Sequence, residues 1–453
     1  MNISRSSLVP VVLALSLIIS GCSAPVSDPS ASWSWPEDPP TDRIGWEEGY
    51  WYNESIAVNQ SDGLNETELD AFVARTMARV EHVRQLEFRE EVPVEVISRK
   101  EYRNEANVFR AEPDSWQEQV YEASFLIGED ESVADVLNGL YGGAVAGYYT
   151  PGDDQIVIVS NSEQPKINRV TLAHELVHAL QDQQFGFNPP QETHDARIAD
   201  NGLYEGDAKY TESLYEERCA DDWDCVPIPP AGAGGGASFD FGVYLTIYAP
   251  YSEGPEFVAA LHERGGWKAV NDAYDNIPTT AEQIWHPEKY PDEGPTNADV
   301  PDRSSTEWSR FDRETVTTRL GEAYLYVMLW DTRAIDRQSL RQATGQYSRY
   351  NYTSGASAGW GGDTLVPYRS ESGEFGYVWA IEWDTEADAE QFDERYRKLL
   401  LQLRMNAERI DSETYVIRDG PFADAFRVQQ NGTRVTIVNA PSVEALDRVH
   451  ASG

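Results

Sequence analysis

The stretch "TLAHELVHALQDQQF", residues 171–185, constrains the fold more than any other part of the chain. Leucine, valine and alanine surround its two histidines, so a helix of this sequence is apolar on nearly all sides, as in a buried core helix. His174 and His178 are four residues apart and therefore lie one above the other on one face, close enough to share a metal ion. Burying two imidazoles and the carboxylate of Glu175 is costly unless each is satisfied. A zinc ion and its water would satisfy all three.

The HExxH spacing is a poor candidate for coincidence, because a chain with seven histidines would contain about 0.01 such matches at random. A catalytic zinc needs a third protein ligand and one open position. The pattern HExxHxxGxxH is absent, since Gln181 and Gln184 occupy the places of its glycine and third histidine. The sequence "NGLYEGDAKY" offers Glu205 instead, and the flanking Gly202 and Gly206 would let helices approach closely.

The charge of the chain is strongly unbalanced. Acidic residues outnumber basic ones by 77 to 36, the net charge is -41, and only six of the basic residues are lysine. A folded chain with so many surface carboxylates repels itself in dilute buffer and needs high salt for screening. An acid excess with few lysines resembles the proteome signature of an extreme halophile. It also argues against nucleic acid as a partner, because phosphate binding needs clustered Lys and Arg.

The N-terminus predicts an export signal. Arg5 precedes the apolar run "LVPVVLALSLII", which is too short for a comfortable membrane span. The run ends in "ISGC", which resembles a lipobox, in which Cys22 becomes the lipidated first residue after cleavage. An ordinary cleaved signal with an incidental cysteine is the alternative. We therefore expect a chain at the cell surface, on the outer face of the membrane, that is anchored by a lipid and does not span it.

Export would allow the remaining cysteines to form a disulfide and surface asparagines to be glycosylated. Cys219 and Cys225 are six residues apart, and an oxidising exterior favours a small-loop disulfide between them. A two-cysteine metal site is the alternative, although nothing nearby completes four ligands. Five sequons are compatible with N-glycosylation at the surface. They lie at Asn53, Asn59, Asn65, Asn351 and Asn431.

Composition and periodicity predict an α+β protein in four segments. Residues 1–22 form the signal peptide, and residues 23–63, rich in Pro, Ser and acidic residues, form a tether. Residues 64–303 are expected to form a mostly helical domain with a small β-sheet or hairpin. Residues 304–453 are expected to form a smaller C-terminal α+β domain.

Three local features refine this scheme. "AGYYTPGDDQIVIVS" predicts a β-hairpin just before the histidine helix, which either is purely structural or presents an edge strand to an extended peptide. Gly186 is expected to end that helix, and a second helix is expected over about residues 196–217. Asp384 is expected to cap a helix in the C-terminal segment.

The motifs together resemble a known type of enzyme. "TLAHELVHALQDQ" followed by "YEGDA" is similar to the gluzincin type of zinc metallopeptidase. The order HExxHALQDQ, EGDA and "EQIWHPEKY" is also similar to haloarchaeal exported surface lipoproteins. This similarity covers roughly residues 64–290. It implies a zincin-like fold for the predicted domain at residues 64–303.

The resemblance implies roles for individual residues. His174, His178 and Glu205 would bind Zn²⁺, and Glu175 would be the general base that takes a proton from the activated water and passes it to the leaving amine. Apart from the resemblance, His286 is our candidate for the donor to the developing oxyanion, followed by Tyr290 and Tyr248, and a purely structural histidine is the alternative.

Two further carboxylates are expected near the ligands. Asp182 and Asp207 are candidate hydrogen-bond acceptors for the metal-binding residues, with solvated carboxylates as the alternative. Gluzincins of the thermolysin kind often place an acid four residues after the third ligand. Here that position is Lys209.

These expectations lead to one principal function and two alternatives. The principal expectation is a lipid-anchored zinc metallopeptidase that hydrolyses peptides or surface proteins. A non-catalytic surface lipoprotein that uses the fold to bind a partner or an envelope component is the first alternative. A different zinc hydrolase is the second, because HExxH alone does not specify the scissile bond. The intact Glu175 favours a peptidase, since a purely structural zinc site needs no base.

Overall fold

The computed structural model describes residues 12–14, 39, 41–105, 111–162, 166–230, 240–343 and 345–451. Cys22, most of the predicted signal peptide and residues 23–38 of the predicted tether lie outside these ranges.

The described chain is α+β, with eleven α-helices. In order they are α1 (Glu66–Arg84), α2 (Arg99–Glu105), α3 (Ser115–Ala123), α4 (Val133–Ala144), α5 (Arg169–Phe185), α6 (His194–Asp221), α7 (Phe241–Tyr274), α8 (Ala281–Trp285), α9 (Gly321–Asp331), α10 (Glu386–Leu401) and α11 (Val443–Val449). None of the helices within the described ranges combines the length and the apolar character that a bilayer crossing requires.

The strands form three sheets. In order they are β1 (Val12–Ala14), β2 (Trp46–Glu47), β3 (Tyr50–Trp51), β4 (Val94–Ser98), β5 (Gly147–Thr150), β6 (Gln155–Ser160), β7 (Trp308–Arg310), β8 (Trp360–Ser370), β9 (Phe375–Trp383), β10 (Glu408–Arg409), β11 (Thr414–Val416), β12 (Ala425–Asn431) and β13 (Arg434–Ala440). One sheet has the order β1-β5-β6-β4, a second has the order β10-β11-β12-β13-β9-β8-β7, and β2 pairs with β3 alone.

The chain divides into two compact units. Unit 1 comprises residues 1–109, 141–189 and 207–237, and unit 2 comprises the remainder. Helices α4 and α6 contribute residues to both units. Residue 303, where the sequence predicts a domain boundary, lies within unit 2.

Unit 1 is built around α5 and the four-stranded sheet. The predicted hairpin is confirmed, since β5 and β6 pair antiparallel with Tyr149 opposite Ile156. The core of the unit joins Phe72 of α1, Leu172 and Leu176 of α5, and these strands. Helix α1 begins with a capping box, in which Asn65 and Glu68 satisfy each other's backbone N–H groups. Asn65 therefore uses its side chain as a helix cap.

The predicted disulfide between Cys219 and Cys225 is confirmed. It closes the loop that follows α6, and Trp223 inside that loop is buried. The guanidinium of Arg79 lies 4.7 Å from the ring centroid of Trp223 and donates to the carbonyl oxygen of Asp224 at 3.0 Å. The disulfide thus fastens the end of α6 to the core of unit 1.

Unit 2 contains the seven-stranded antiparallel sheet, which is flanked by helices. Its core includes Trp308, Val366, Val378, Val438 and Leu446. The helix predicted after the strand "EFGYVWAIEW" is α10, but the prediction of Asp384 as its cap is wrong. Thr385 has the extended cap conformation, and its side chain accepts from the backbone N–H of Asp388.

The motif "SAGWGGD" has a structural role in unit 2. It runs from a turn into β8 and carries the buried Asp363. The carboxylate of Asp363 accepts from the backbone N–H groups of Leu320 and Gly321 and from the indole N–H groups of Trp360 and Trp379, at 2.9 to 3.1 Å. One buried acid thereby satisfies the first N–H groups of α9 and two tryptophans.

Candidate metal centre

Helix α5 carries the centre and has defined ends. The side chain of Asn168 accepts from the backbone N–H of Val170 at its start, and Gly186, with φ 73°, ends it as the sequence predicts. Residues 171–181 of the helix are all buried. The histidines therefore project from a helix that is enclosed in the unit 1 core, as expected for an apolar helix.

The two imidazole rings meet edge to face. Their centroids are 4.7 Å apart, and the Nε2 atom of His174 lies 3.1 Å from the Nε2 atom of His178. Both side chains are almost completely buried, with 1% and 0% exposure. Bulk water therefore has almost no access to either ring.

The opposite nitrogens of both rings contact oxygen acceptors. The Nδ1 of His174 lies 3.1 Å from a carboxylate oxygen of Glu212, and the Nδ1 of His178 lies 2.8 Å from the amide oxygen of Gln181. Because these oxygens only accept hydrogen bonds, each Nδ1 carries a proton. In the neutral imidazoles each Nε2 then carries a lone pair, and the two lone pairs converge on the same space.

Glu205 is grouped with the two histidines. One ligand atom of each of the three residues lies within 4.8 Å of the others, and all three residues are buried. The hydroxyl of Tyr251 donates to Oε1 of Glu205 at 2.6 Å. The sequence predicts these three residues as zinc ligands.

The glycines beside Glu205 fit the expected role in close helix approach. A Cβ on Gly206 would lie 2.5 Å from the backbone of Gly254, and one on Gly202 would lie 2.8 Å from the side chain of Ile284. Backbone and side chains of α7 and α8 thus occupy the space that larger residues would need. Both glycines are required at their positions.

Glu212 is a residue that the sequence analysis missed. It follows Glu205 by seven residues, two helical turns, so the two carboxylates share one face of α6. Lys209 donates to its Oε1 at 2.5 Å, and His174 contacts its Oε2. Burial by itself would raise the pKa of Glu212, but Lys209 and the hydrogen bond with His174 lower that pKa below its ordinary value. Lys209, which departs from the thermolysin pattern, therefore pairs with the acid that contacts His174.

Glu175 lies beside the hairpin. Its side chain is fully buried, and the backbone of Gly147 at the start of β5 approaches it closely. A Cβ on Gly147 would lie 3.1 Å from Oε1 of Glu175 and 3.0 Å from the methyl of Thr171. The absence of a side chain at Gly147 leaves room for the carboxylate.

The two other predicted acceptors have different partners. Asp182 accepts from the hydroxyl of Tyr149 at 2.9 Å. Asp207 accepts from Nε of Arg84 at 2.8 and 3.0 Å, and both side chains of that ion pair are buried. The contacts described for His174 Nδ1 and His178 Nδ1 are instead with Glu212 and Gln181.

His286 pairs with an acid of unit 2. Its Nε2 lies 3.1 Å from Oε2 of the fully buried Glu322, which also accepts from the hydroxyl of Thr353 at 2.7 Å. Burial would lower the pKa of His286, but the hydrogen bond and charge of Glu322 raise that pKa above its ordinary value.

Comparison with known proteins identifies one region. A family model described as a domain of unknown function (DUF8575) matches residues 309–450. The comparison with curated proteins and the comparison with solved structures found no match. The matched region contains Asp363 and most of the seven-stranded sheet and lies outside the residues of the metal centre.

Proposed function

We propose that this protein is a zinc metallopeptidase of the gluzincin type, exported and held at the outer face of the cell membrane by a lipid on Cys22. The observation that carries the proposal is the approach of two Nε2 atoms, on His174 and His178, to 3.1 Å. With Nδ1 protonated, a neutral imidazole presents a lone pair at Nε2. Two such lone pairs at this distance would repel each other, and a cation between them would replace the repulsion with coordination.

The donor set fits zinc. Two imidazole nitrogens and one carboxylate oxygen are a set that catalytic zinc takes, and they leave one position open. Two nitrogens on one tetrahedral zinc lie about 3.3 Å apart, given Zn–N bonds of about 2.0 to 2.1 Å. The separation of 3.1 Å between the two Nε2 atoms is close to that value. Glu212 and Gln181 would hold the two rings in the binding orientation.

The chemistry would then be divided between the metal and Glu175. Bound zinc supplies Lewis acidity, which polarises a peptide carbonyl and makes a neighbouring water easier to deprotonate. Glu175 follows His174 directly and lies about 100° around the helix. Its carboxylate would accept the proton of the attacking water and deliver it to the leaving amine. The close packing of Gly147 would fix the position of that carboxylate.

Strand β5 supports a peptide as the substrate. Its outer edge pairs antiparallel with β1, with Val12 opposite Tyr149 and Ala14 opposite Gly147. Residues 12–14 belong to the predicted signal peptide, whose removal would release this edge. An extended peptide can add to a released edge by main-chain hydrogen bonds. It would then run past Gly147, next to Glu175.

The test combines zinc analysis with a base variant. The protein is purified in molar KCl, its zinc content is measured, and casein and a peptide library are assayed with wild type and Glu175→Gln. We expect one zinc per chain in both proteins and a rate about 100- to 10,000-fold lower in the variant, the range that general acid–base catalysis contributes. Glu217→Gln, at an exposed position of α6, is the matched control and should keep full activity.

The outcomes separate the candidate functions. One zinc per chain, without any cleavage that Glu175→Gln abolishes, would favour the binding or envelope role. Cleavage of a substrate other than a peptide, abolished by Glu175→Gln, would indicate a different zinc hydrolase. A protein that binds no zinc at neutral pH would contradict the proposal, because a proton shared by the two Nε2 atoms would then account for their approach.

A further inference from the structure

We infer that Arg75 and Tyr215 of unit 1 form a binding site for one small monovalent anion, chloride or a similar halide, a function beyond the proposed peptidase activity. Arg75 lies on α1 and Tyr215 lies near the end of α6, and they are 1% and 0% exposed. Arg79, one turn after Arg75, is also fully buried. Two guanidinium charges are thus withdrawn from water in unit 1, and such charges are costly unless they are paired.

Arg84, on the same helix, shows how a buried arginine is ordinarily neutralised. Its Nε donates to both carboxylate oxygens of Asp207, at 2.8 and 3.0 Å, and both side chains are buried. Arg75 and Arg79 differ, because within the described part of the chain neither of them forms an ion pair with a carboxylate. Their charges therefore need another partner.

The contacts of Arg79 are with neutral groups. It donates to the carbonyl oxygens of Tyr52 and Asp224, at 2.7 and 3.0 Å, and its Nη1 lies 3.1 Å from Sγ of Cys225. Its guanidinium also lies 4.7 Å from the ring centroid of Trp223. These dipoles and the aromatic face reduce the cost of burial but leave the positive charge in place.

One edge of the Arg75 guanidinium has the geometry of an anion site. Nη1 donates to the carbonyl oxygens of Glu54 and Asp224, at 3.4 and 2.9 Å. Nε and Nη2, which form the adjacent donor edge, are shielded from solvent and have no hydrogen-bond partner among the residues that the structure describes. The two N–H bonds of such an edge point the same way and bind one anion together.

The hydroxyl of Tyr215 supplies a third donor. It is buried, and the described chain gives it no hydrogen bond of good geometry. Burial lowers the pKa of Arg75 to about 10 and also lowers that of Arg79, and Tyr215 opposes both shifts, so its hydroxyl lies close to both guanidiniums. The phenol oxygen can accept from a guanidinium while its O–H donates to an anion. At neutral pH Arg75 keeps its charge, since its pKa lies well above 7.

Size and charge favour a halide as the ligand. All three donor atoms are shielded from solvent, so the site suits a single-atom ion better than an organic carboxylate. A water molecule can accept the same hydrogen bonds, but it would leave both guanidinium charges unpaired. The acid excess of the chain predicts a high-salt environment, and chloride is the abundant anion of such an environment.

A bound anion would join α1 to the end of α6. The loop that the disulfide closes already accepts from both arginines, through the carbonyl oxygen of Asp224. The anion would add a contact between Arg75 and Tyr215 that exists only in the folded chain. Stability should therefore depend on chloride itself and not only on ionic strength.

The test separates chloride from general salt effects. Full-length protein with zinc present is unfolded by urea at constant molar ionic strength, while potassium chloride progressively replaces potassium gluconate. Uptake of one anion on folding raises the folding equilibrium constant about tenfold for each tenfold rise in chloride above the dissociation constant. We expect this slope in wild type and its loss in Arg75→Gln. Arg218→Gln, at an exposed position of α6, is the matched control and should keep it.

A second variant and a direct measurement cover a loss of folding in Arg75→Gln. Tyr215→Phe removes only the hydroxyl, and the slope should then begin at a several-fold higher chloride concentration. In crystals grown in potassium bromide, the anomalous signal of bromine should lie within hydrogen-bonding distance of Nε and Nη2 of Arg75.

Four outcomes would overturn the inference. They are a wild-type stability that does not depend on chloride, an equal slope in wild type and Arg75→Gln, an unchanged onset in Tyr215→Phe, and a water molecule in place of bromide. His178→Ala tests the proposed zinc site separately and should keep the chloride slope, so the two proposals can fail independently.

Discussion

The candidate centre around His174 and His178 and the group of Glu282, Glu293 and Asp384 both bring three possible metal-binding side chains together, but they do so differently. In the first, two rings on one helix are oriented by dedicated acceptors, Glu212 and Gln181. In the second, the ammonium of Lys289 donates to all three carboxylates. The first set contains two imidazole nitrogens, which zinc prefers, whereas the second is neutralised by a side chain of the protein itself.

The difference shows that a cluster of acidic side chains does not by itself identify a metal site in this chain. With 77 acidic residues, clusters of carboxylates are expected at many places. What distinguishes them is the group that neutralises the charge: a lysine at Glu282, Glu293 and Asp384, and a histidine at Glu322. The proposed zinc site differs from these groups, because its described side chains converge on a point suited to a cation.

The largest effect should come from removing a zinc ligand. His178→Ala leaves one imidazole and Glu205, so we expect zinc affinity to fall by more than the roughly 100-fold that loss of a supporting hydrogen bond costs. Peptidase activity should fall to background. Elemental analysis of the dialysed variant measures the zinc.

A second histidine variant provides the control for this prediction. His262→Ala is matched to His178→Ala, since His262 lies outside the proposed zinc site, and it should keep zinc at full occupancy. If His178→Ala retained zinc at full occupancy, the assigned ligand set would be wrong.

The grouping of His174, His178 and Glu205 was predictable because its information is local. Four-residue spacing on one apolar helix places His174 and His178 together, and small neighbours singled out Glu205 among many glutamates. Gly186, the β5–β6 hairpin and the disulfide followed from equally local rules. Local spacing within α6 could also have found Glu212, at two turns from Glu205.

The acidic cluster of Glu122, Glu129 and Asp424 was not predictable, because folding assembles it from positions about 300 residues apart. Nothing in the sequence near Glu122 or Asp424 differs from the general acid excess. For the same reason, the sequence did not reveal that Asp207 pairs with Arg84, which lies on another helix 123 residues away. Nor did it reveal the four hydrogen-bond donors of Asp363, which come from three separate segments.

A smaller effect should follow from removing the groups that orient the rings. Gln181→Leu deletes the acceptor for Nδ1 of His178, and Glu212→Leu deletes that for Nδ1 of His174. Each change frees a ring to rotate or change tautomer, and we expect zinc affinity to fall about 10- to 100-fold. Competition with a zinc chelator measures the affinity.

Gln181→Glu provides the control, because it restores an acceptor of the same length and should recover most of the affinity. An unchanged zinc affinity in Gln181→Leu would mean that helix packing alone orients the His178 ring.

The smallest effect concerns the pair of His286 and Glu322, in which a histidine neutralises a buried acid. Because the pKa of His286 is raised, chiefly by Glu322 against the effect of burial, the protonated pair stabilises the fold. That contribution is fully present below the ordinary histidine pKa of about 6.5 and is lost as pH rises through the higher pKa of the folded state. Glu282 and Glu288 act in the same direction.

We therefore expect His286→Gln to lower the free energy of unfolding by about 1 kcal/mol at pH 6 and by much less at pH 9. Urea unfolding in molar KCl at both pH values measures the difference, and high salt should weaken this buried pair less than a surface pair. A cost that is equal at both pH values would show that His286 contributes by packing rather than by charge. If the variant also lowers kcat with zinc and KM unchanged, His286 acts in addition as the predicted oxyanion donor.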